Sequence, residues 1–542
     1  MIHVDFRKAA ALALAVSIAA SSAWAADPPK PKPIPAEIQA IFDKPFYKKG
    51  IWGLRVVDLE NGRIIYDLNP HRKLLTGSIR KLISVGLALE KLGPDHKFVT
   101  PIYRLGEVQD GVLTGNLVLA ASGDLAMGGR TNPDGTLAVS NYDHNEANSL
   151  GNAQLTTPNP LAGFEQLAKQ VAAAGIKEVR GDVVIDDRLF VPFNFRGEFD
   201  ARPIFVNDDV VDLTIDPGAA GQQAKVDWRP KSAAFSIEST LPMAPAGGDF
   251  DIKLDPENPK CFGTVSCQGL VSGKLPLGFV PPLTDKYPLV RTFRITEPQN
   301  YARTVLIEAL KNRGVKVSAN AVGKNNSDKF KHGFAYPTTS LKVTELVSPS
   351  YSQYAKWILK VSYNIGADTS LVLFGLTQGV NSMPDALVAE SKILANEYNI
   401  DPADYHFIDG SGGGDSAATP EAIVSFLDSM DNKKFFETYR DCLPILATDG
   451  SLAFVTDFQK DATLAGAKGK VFAKTGTFLT GKDEKSLVLG AQTFAGYIDT
   501  KSGRHLAYAL FVNDVSPVAG INDVIQVFQD EGTISAIIWR EN

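Results

Sequence analysis

Ser78-Ile79-Arg80-Lys81 opens an apolar stretch with helical spacing, and this pairing constrains the chain more than any other feature. Residues 78–92 put apolar side chains at 79, 82, 83, 87, 89 and 92, and Gly93-Pro94 ends the run. The pattern predicts a mostly buried helix with Ser78 at its start. Positions i and i+3 share one helix face. The Lys81 amine then falls within reach of the Ser78 hydroxyl, and burial near other cations can lower a lysine pKa until the amine serves as a base. No other serine in the chain has a lysine three residues on. Such a pair also arises by chance in a chain this long, as an N-cap serine beside a surface lysine, so its position carries more weight than its presence.

Two further short patterns follow. Ser-x-Asn occurs as Ser318-Ala319-Asn320 and as Ser362-Tyr363-Asn364. The first lies in an alternating, strand-like run and reads as structural. Ser362 and Asn364 lie between apolar helical segments, where a polar pair needs partners. Lys474-Thr475-Gly476 occurs once, with Thr477 after it, at the end of the apolar run Val471-Phe472-Ala473. A strand edge there would present backbone groups, and Gly476 would let a ligand approach closely.

Ser-x-x-Lys, Ser-x-Asn and Lys-Thr-Gly, in that order, form the signature set of the penicillin-recognising serine enzymes. The stretch LLTGSIRKLISVGLALEKLGPDHKFVT closely resembles the nucleophile region of the S13 family, the low-molecular-mass class C penicillin-binding proteins of the penicillin-binding protein 4 type. Further agreement lies in Ser122-Gly123-Asp124, Gly181 to Asp187, LKVSYNIGADT (359–369), Asp409-Gly410-Ser411-Gly412, Asp449-Gly450-Ser451 and AKTGT (473–477). Spacing separates this family from class A β-lactamases. Ser78 and Ser362 are 284 apart, and Ser362 and Lys474 are 112 apart. The long first interval is what inserted domains would produce. There are departures: Gly77 stands where the family more often has Ala, Tyr363 fills the middle of Ser-x-Asn, and Lys482 to Lys485 add a charged loop.

The resemblance implies an α/β fold of the serine β-lactamase/transpeptidase type: an antiparallel sheet with helices on both faces, a helical lobe, a cleft between them, and β-rich insertions. It implies a D-alanyl-D-alanine carboxypeptidase or endopeptidase acting on peptidoglycan stem peptides and acylated by β-lactams. Ser78 would be the nucleophile, Lys81 the base, Ser362 a proton relay and Asn364 the group that holds Lys81. Lys474 would keep Lys81 neutral and attract the substrate carboxylate. Thr475, Gly476 and Thr477 would line the substrate, with the Ser78 and Thr477 amides as oxyanion hole. No metal or organic cofactor is called for. The rival readings are a β-lactamase or esterase on the same scaffold, and a non-catalytic cell-wall binding protein.

The N-terminus bears on location. Arg7 and Lys8 precede the short apolar run Ala9 to Ala20, and Ala23-Trp24-Ala25 supplies a small-x-small site. This reads as a signal peptide over 1–25, cut near Ala25 or Ala26, and hence a periplasmic protein. Nothing later reaches the length of an apolar membrane span. Residues 26–36 form a Pro-rich spacer. Residues 37–98 and 341–542 are expected to make the catalytic domain, 99–205 with 285–340 one inserted domain, and 206–284 a second, β-rich one. Helices are expected over 161–174, 301–313, 341–378, 384–398, 420–430 and 519–530, and strands at 53–58, 63–67, 469–475, 489–499 and 505–513.

Composition excludes other classes. With 44% hydrophobic and 21% charged residues the chain is ordinarily globular. A net charge of −6 is the wrong sign for a nucleic-acid binder. Three cysteines cannot build a Cys-rich zinc module. Cys261 and Cys267 flank Gly263 and are expected to pair, with Cys442 a buried thiol.

Overall fold

The computed structural model describes residues 30–330, 336, 341–481 and 487–542. Residues 1–25, expected as a signal peptide, residues 26–29 of the Pro-rich spacer and the Lys482 to Lys485 loop lie outside the described residues.

After α1 (Ala36–Phe42), β1 (Ile51–Asp58) and β2 (Arg63–Leu68) pair antiparallel around Asn61-Gly62. Gly62 sits at φ +69°, in the left-handed region that the turn requires. A 3₁₀ turn, Gly77–Arg80, leads into α2 (Lys81–Leu92), so Ser78 stands one turn ahead of the α-helix rather than inside it. Leu82, Ile83, Val85, Leu87, Ala88 and Leu89 of α2 are all buried. Full burial of such side chains is worth roughly 1.5–3 kcal/mol for each Leu, Ile or Val, which anchors the turn that carries Ser78.

The chain then enters the insert through β3 (Lys97–Gln109) and β4 (Val112–Ala120), followed by α3 (Ala162–Ala173) and β5 (Val183–Asp186). Next come β6 (Val210–Asp216), β7 (Lys225–Arg229), β8 (Phe235–Thr240), β9 (Cys267–Pro276) and β10 (Leu289–Arg294), and then α4 (Pro298–Asn312). The return strand β11 (Lys342–Ser350) pairs antiparallel with β3, so the start of 341–378 is a strand where the apolar spacing suggested helix. β3, β4, β5 and β11 share one sheet, against which α3 and α4 pack. β6 lies between β7 and β10, so that sheet joins residues on both sides of position 284. Cys261 and Cys267 are disulfide-linked, 5.5 Å apart at Cα, and Cys442 is a buried free thiol.

The helical lobe follows: α5 (Tyr351–Val361), α6 (Asn364–Thr377), α7 (Met383–Glu397) and α8 (Pro420–Asp431). β12 (Val471–Thr480), β13 (Val488–Asp499) and β14 (His505–Val515) complete a five-stranded sheet in the order β2-β1-β14-β13-β12, antiparallel throughout. α9 (Ile521–Glu541) follows, and it continues past residue 530, where the spacing suggested its end.

Strand alternation divides the core into two layers. Ala507, Ala509 and Phe511 face the helical lobe with α2, α5, α6 and α8. Leu506, Tyr508, Leu510 and Val512 face α1 and α9. The sheet thus has helices on both faces. Among the described residues no helix is long and apolar enough to cross a membrane.

Candidate active site

The three short motifs converge where the start of α2, the α5–α6 junction and β12 meet. Lys81 Nζ lies 2.7 Å from Ser78 Oγ, 2.7 Å from Asn364 Oδ1 and 2.9 Å from the Ser411 carbonyl. Lys474 Nζ donates to Ser362 Oγ at 2.9 Å and to the Thr475 carbonyl at 2.7 Å. Both lysines are fully buried, whereas Ser78 and Ser362 are partly accessible and Thr477 is exposed. The structure therefore brings together all eight residues singled out from sequence. Ser318 is not among them: its amide bonds the Val179 carbonyl in the insert.

Each side chain has a local reason for its place. Ser362 takes φ +63° at the C-terminal end of α5, a left-handed conformation uncommon outside glycine, and this turns its hydroxyl to Lys474. Tyr363 then stacks on Trp357 at 4.6 Å and fixes the turn from below. Gly476 runs against the nucleophile turn so closely that a Cβ there would lie 2.8 Å from the Ser78 nitrogen and 2.5 Å from the Thr76 carbonyl. Thr475 Oγ1 and Ser451 Oγ are 2.7 Å apart, and Thr477 Oγ1 donates to Gln492 Oε1.

The polar floor of the site comes from segments that carry no motif chemistry of their own. Asp409 accepts from the amides of Ser411, Gly412 and Gly413, and Asp368 accepts from Gly410, which fixes the Ser411 carbonyl against Lys81. Arg80 is buried, pairs with Glu390, donates to the Asp409 carbonyl and stacks on Phe407 at 4.1 Å. It pins the nucleophile turn to α7 and to this loop.

Burial lowers Lys81 to about 7, with the Arg196 guanidinium adding to the effect; Asp368, Asp409 and Glu146 oppose it. Lys474 is also pushed well down, by burial first and by Lys81 second. Both amines are thus depressed by burial first, the two lysines disfavour charge on one another, and Arg196, from the insert, is a further cation that disfavours charge on Lys81. Burial and Asp409 raise Asp368 to about 7.

A neutral lysine has two N–H donors and one lone pair. The Asn364 and Ser411 oxygens can only accept, so they take both donors. The lone pair is left for the hydroxyl hydrogen of Ser78, and the array can deprotonate Ser78 without rearrangement.

Sequence reasoning missed Glu146 and Arg196. Asn364 Nδ2 donates to Glu146 Oε1, and Arg196 Nη1 lies 3.3 Å from the same oxygen. Both residues stand more than 160 positions from Asn364, in stretches without a pattern. A Glu-x-x-x-Asn spacing, which serves deacylation in class A β-lactamases, is present at Glu308 and Asn312. Glu308 sits on α4 in the insert, where it accepts from Ser232 Oγ and the Ala233 amide.

Asp143, His144 and Asp208 lie close enough to suggest a metal. Their donors are already engaged. Arg130 pairs with both carboxylates, His144 Nε2 bonds Asp208, and His144 Nδ1 bonds Asp212.

Similar proteins share this architecture. The chain is 25% identical over 522 residues to the D-alanyl-D-alanine carboxypeptidase of Actinomadura sp. strain R39, covering 91% of this chain and 83% of the relative. Crystal structures of penicillin-binding protein 4 from Haemophilus influenzae superpose with TM-scores of 0.65 and, as a β-lactam complex, 0.63. Identity there is 17% and 18%, and coverage is 91% and 93% of this chain and 98% and 99% of the other, so the likeness establishes the fold. Residues 34–531 match the model of the D-Ala-D-Ala carboxypeptidase 3 (S13) family, and the chain belongs to that family.

Proposed function

We propose that the chain is a serine D-alanyl-D-alanine carboxypeptidase and DD-endopeptidase that works through an acyl-enzyme on Ser78. The observation that carries this reading is the Lys81 amine, buried, 2.7 Å from Ser78 Oγ and with its other two contacts taken by carbonyl-type oxygens. Ser78 Oγ attacks the carbonyl of the D-Ala-D-Ala bond and its proton passes to Lys81. The tetrahedral oxyanion is received by the amides of Ser78 and Thr477; losing one such donor typically costs about 10²–10³ in rate. The C–N bond breaks as Ser362 gives its hydroxyl proton to the leaving amine and takes the proton held on Lys81 in return, which leaves Lys81 neutral before water enters. Water then attacks the ester and gives up a proton through Lys81, which releases the shortened peptide and regenerates Ser78. Lys474 and Thr475 bind the terminal carboxylate, whose charge offsets the cost of a buried ammonium on Lys474.

The same chemistry would act on stem peptides and cross-links of peptidoglycan, and β-lactams would acylate the same serine. The substrate, the leader-like residues 1–25 and the disulfide, which oxidising compartments permit, support export to the periplasm. We assign catalysis to 37–98 and 341–542, with 99–340 as insertions. Incubating the mature protein with purified muropeptides tests the reading. Release of D-Ala or of monomers from cross-linked dimers is expected, and intact muropeptides beside rapid penicillin hydrolysis would favour a β-lactamase instead.

A further inference from the structure

The insert reaches the reacting groups through Glu146. Glu146 ends the 3₁₀ turn His144–Glu146. That turn is anchored in a buried charge network, because Asp143 pairs bidentately with Arg130 and His144 bonds Asp208 and Asp212. Glu146 Oε1 accepts from Asn364 Nδ2. Asn364 Oδ1 in turn accepts from Lys81 Nζ.

An amide side chain has two unlike ends. If Asn364 were turned over, its NH₂ would face the Lys81 amine. Lys81 would then have to spend its lone pair on that NH₂, and none would remain for Ser78. A carboxylate at position 146 forbids this, because it can accept from Nδ2 but repels Oδ1. Arg196, at φ +51° on the hairpin formed by Phe193–Phe195 and Phe199–Ala201, holds the same carboxylate at 3.3 Å from the solvent side.

We propose that Glu146 is a positioning residue for acylation: it locks the Asn364 amide with its oxygen toward Lys81, leaves the Lys81 lone pair to Ser78, and is itself held by Arg196. The inserted region thereby takes part in catalysis without touching the substrate. The proposal rests on the reading of Lys81 as base.

The two side chains carry opposite charge, so they act on Lys81 in opposite senses. Arg196 favours the neutral amine and Glu146 the ammonium. The other groups that face Lys81 are Asp368 on α6, Asp409 in the 409–413 loop and Lys474 on β12. These stay the same in the variants below.

The test is the rate of acylation by a fluorescent penicillin as a function of pH in wild type, Glu146→Ala, Arg196→Gln and Lys81→Arg. Glu146→Ala should move the ascending limb to lower pH and reduce the plateau roughly tenfold or more, the scale on which misorientation costs rate. Arg196→Gln should move the limb to higher pH. A purely structural role would lower rates without displacing the two limbs in opposite directions. Limbs that superpose on wild type, or that move together, would overturn the proposal while an inactive Lys81→Arg leaves the base assignment intact. Wild-type acylation by Lys81→Arg would overturn the base assignment and this proposal with it. Both tested side chains are partly exposed, at 26% and 44%. Should Glu146→Ala fail to fold, Arg196→Gln decides alone: a limb at or below the wild-type pH overturns the proposal.

Discussion

Among single residues, Lys81 decides reactivity through its protonation state. Its pKa is depressed to about 7, and only the neutral amine can take the Ser78 proton. Acylation is therefore expected to be complete in its pH dependence above about 8 and to fall tenfold per unit well below 7. Lys81→Arg should acylate at least about a hundredfold more slowly at every pH, because guanidinium keeps its proton. The rate–pH profile of both proteins checks this, and a flat wild-type profile between pH 5 and 8 would contradict it. The contact of Ser78 with Lys81 and the strand that carries Lys-Thr-Gly were legible because both depend on short local spacing. Glu146, Arg196 and Arg80 were not legible. Their partners lie far away in sequence, and a lone Glu or Arg in a loop carries no periodic signal.

At the scale of elements, glycine placement explains how three segments fit around one hydroxyl. Gly77 has φ +48°, and a Cβ on it would sit 2.9 Å from the Thr477 nitrogen. The family's more frequent Ala cannot be accepted here without moving β12. Gly77→Ala is expected to destabilise by about 1–3 kcal/mol and to slow acylation about tenfold or more through the displaced Thr477 amide. Thermal unfolding and acylation kinetics on the same preparation check this; full acylation at wild-type stability would contradict it. Period and capping signals located the hairpin, α2, α3, α4, α7, α8 and the last strands well. They failed at β11, where Thr344, Glu345, Leu346 and Val347 pair with residues 99–102 of β3, a partner that the local sequence does not reveal. They also stopped α9 short, because its last turns are buried nearly all round and lose the amphipathic rhythm.

At the scale of the whole molecule, the insert is coupled to the catalytic unit by a charged cluster as well as by apolar packing. Arg130 stacks on Trp357 at 4.2 Å, and Trp357 stacks on Tyr363 of the second motif. Tyr354 donates to Asp124, and the Gly450 amide donates to Asn141. Burial alone would lower the His144 pKa, but the carboxylates of Asp212 and Asp208 outweigh it and raise it from 6.5 to about 10. A raised pKa in the folded state stabilises below the unfolded value and ceases to do so once pH passes the folded value. The His144 contribution should thus be complete below about 6.5 and vanish as pH rises through about 10. His144→Gln should cost about 3–5 kcal/mol at neutral pH, the usual penalty for stripping a buried ion pair of one partner. Denaturant unfolding of both proteins across this range measures it. A difference that does not shrink toward pH 10 would contradict the pairing. The 284-residue interval is the sequence signal for an insertion, but this cluster has none, since it gathers residues 130, 143, 144, 208 and 212 from separate loops and strands.

Intact-mass analysis after incubation with penicillin is the most direct test of the claim that Ser78 is the nucleophile. One covalent adduct per chain is expected in the wild type, with none in Ser78→Ala. An adduct that persists in folded Ser78→Ala, or no adduct on the folded wild type, would contradict the claim.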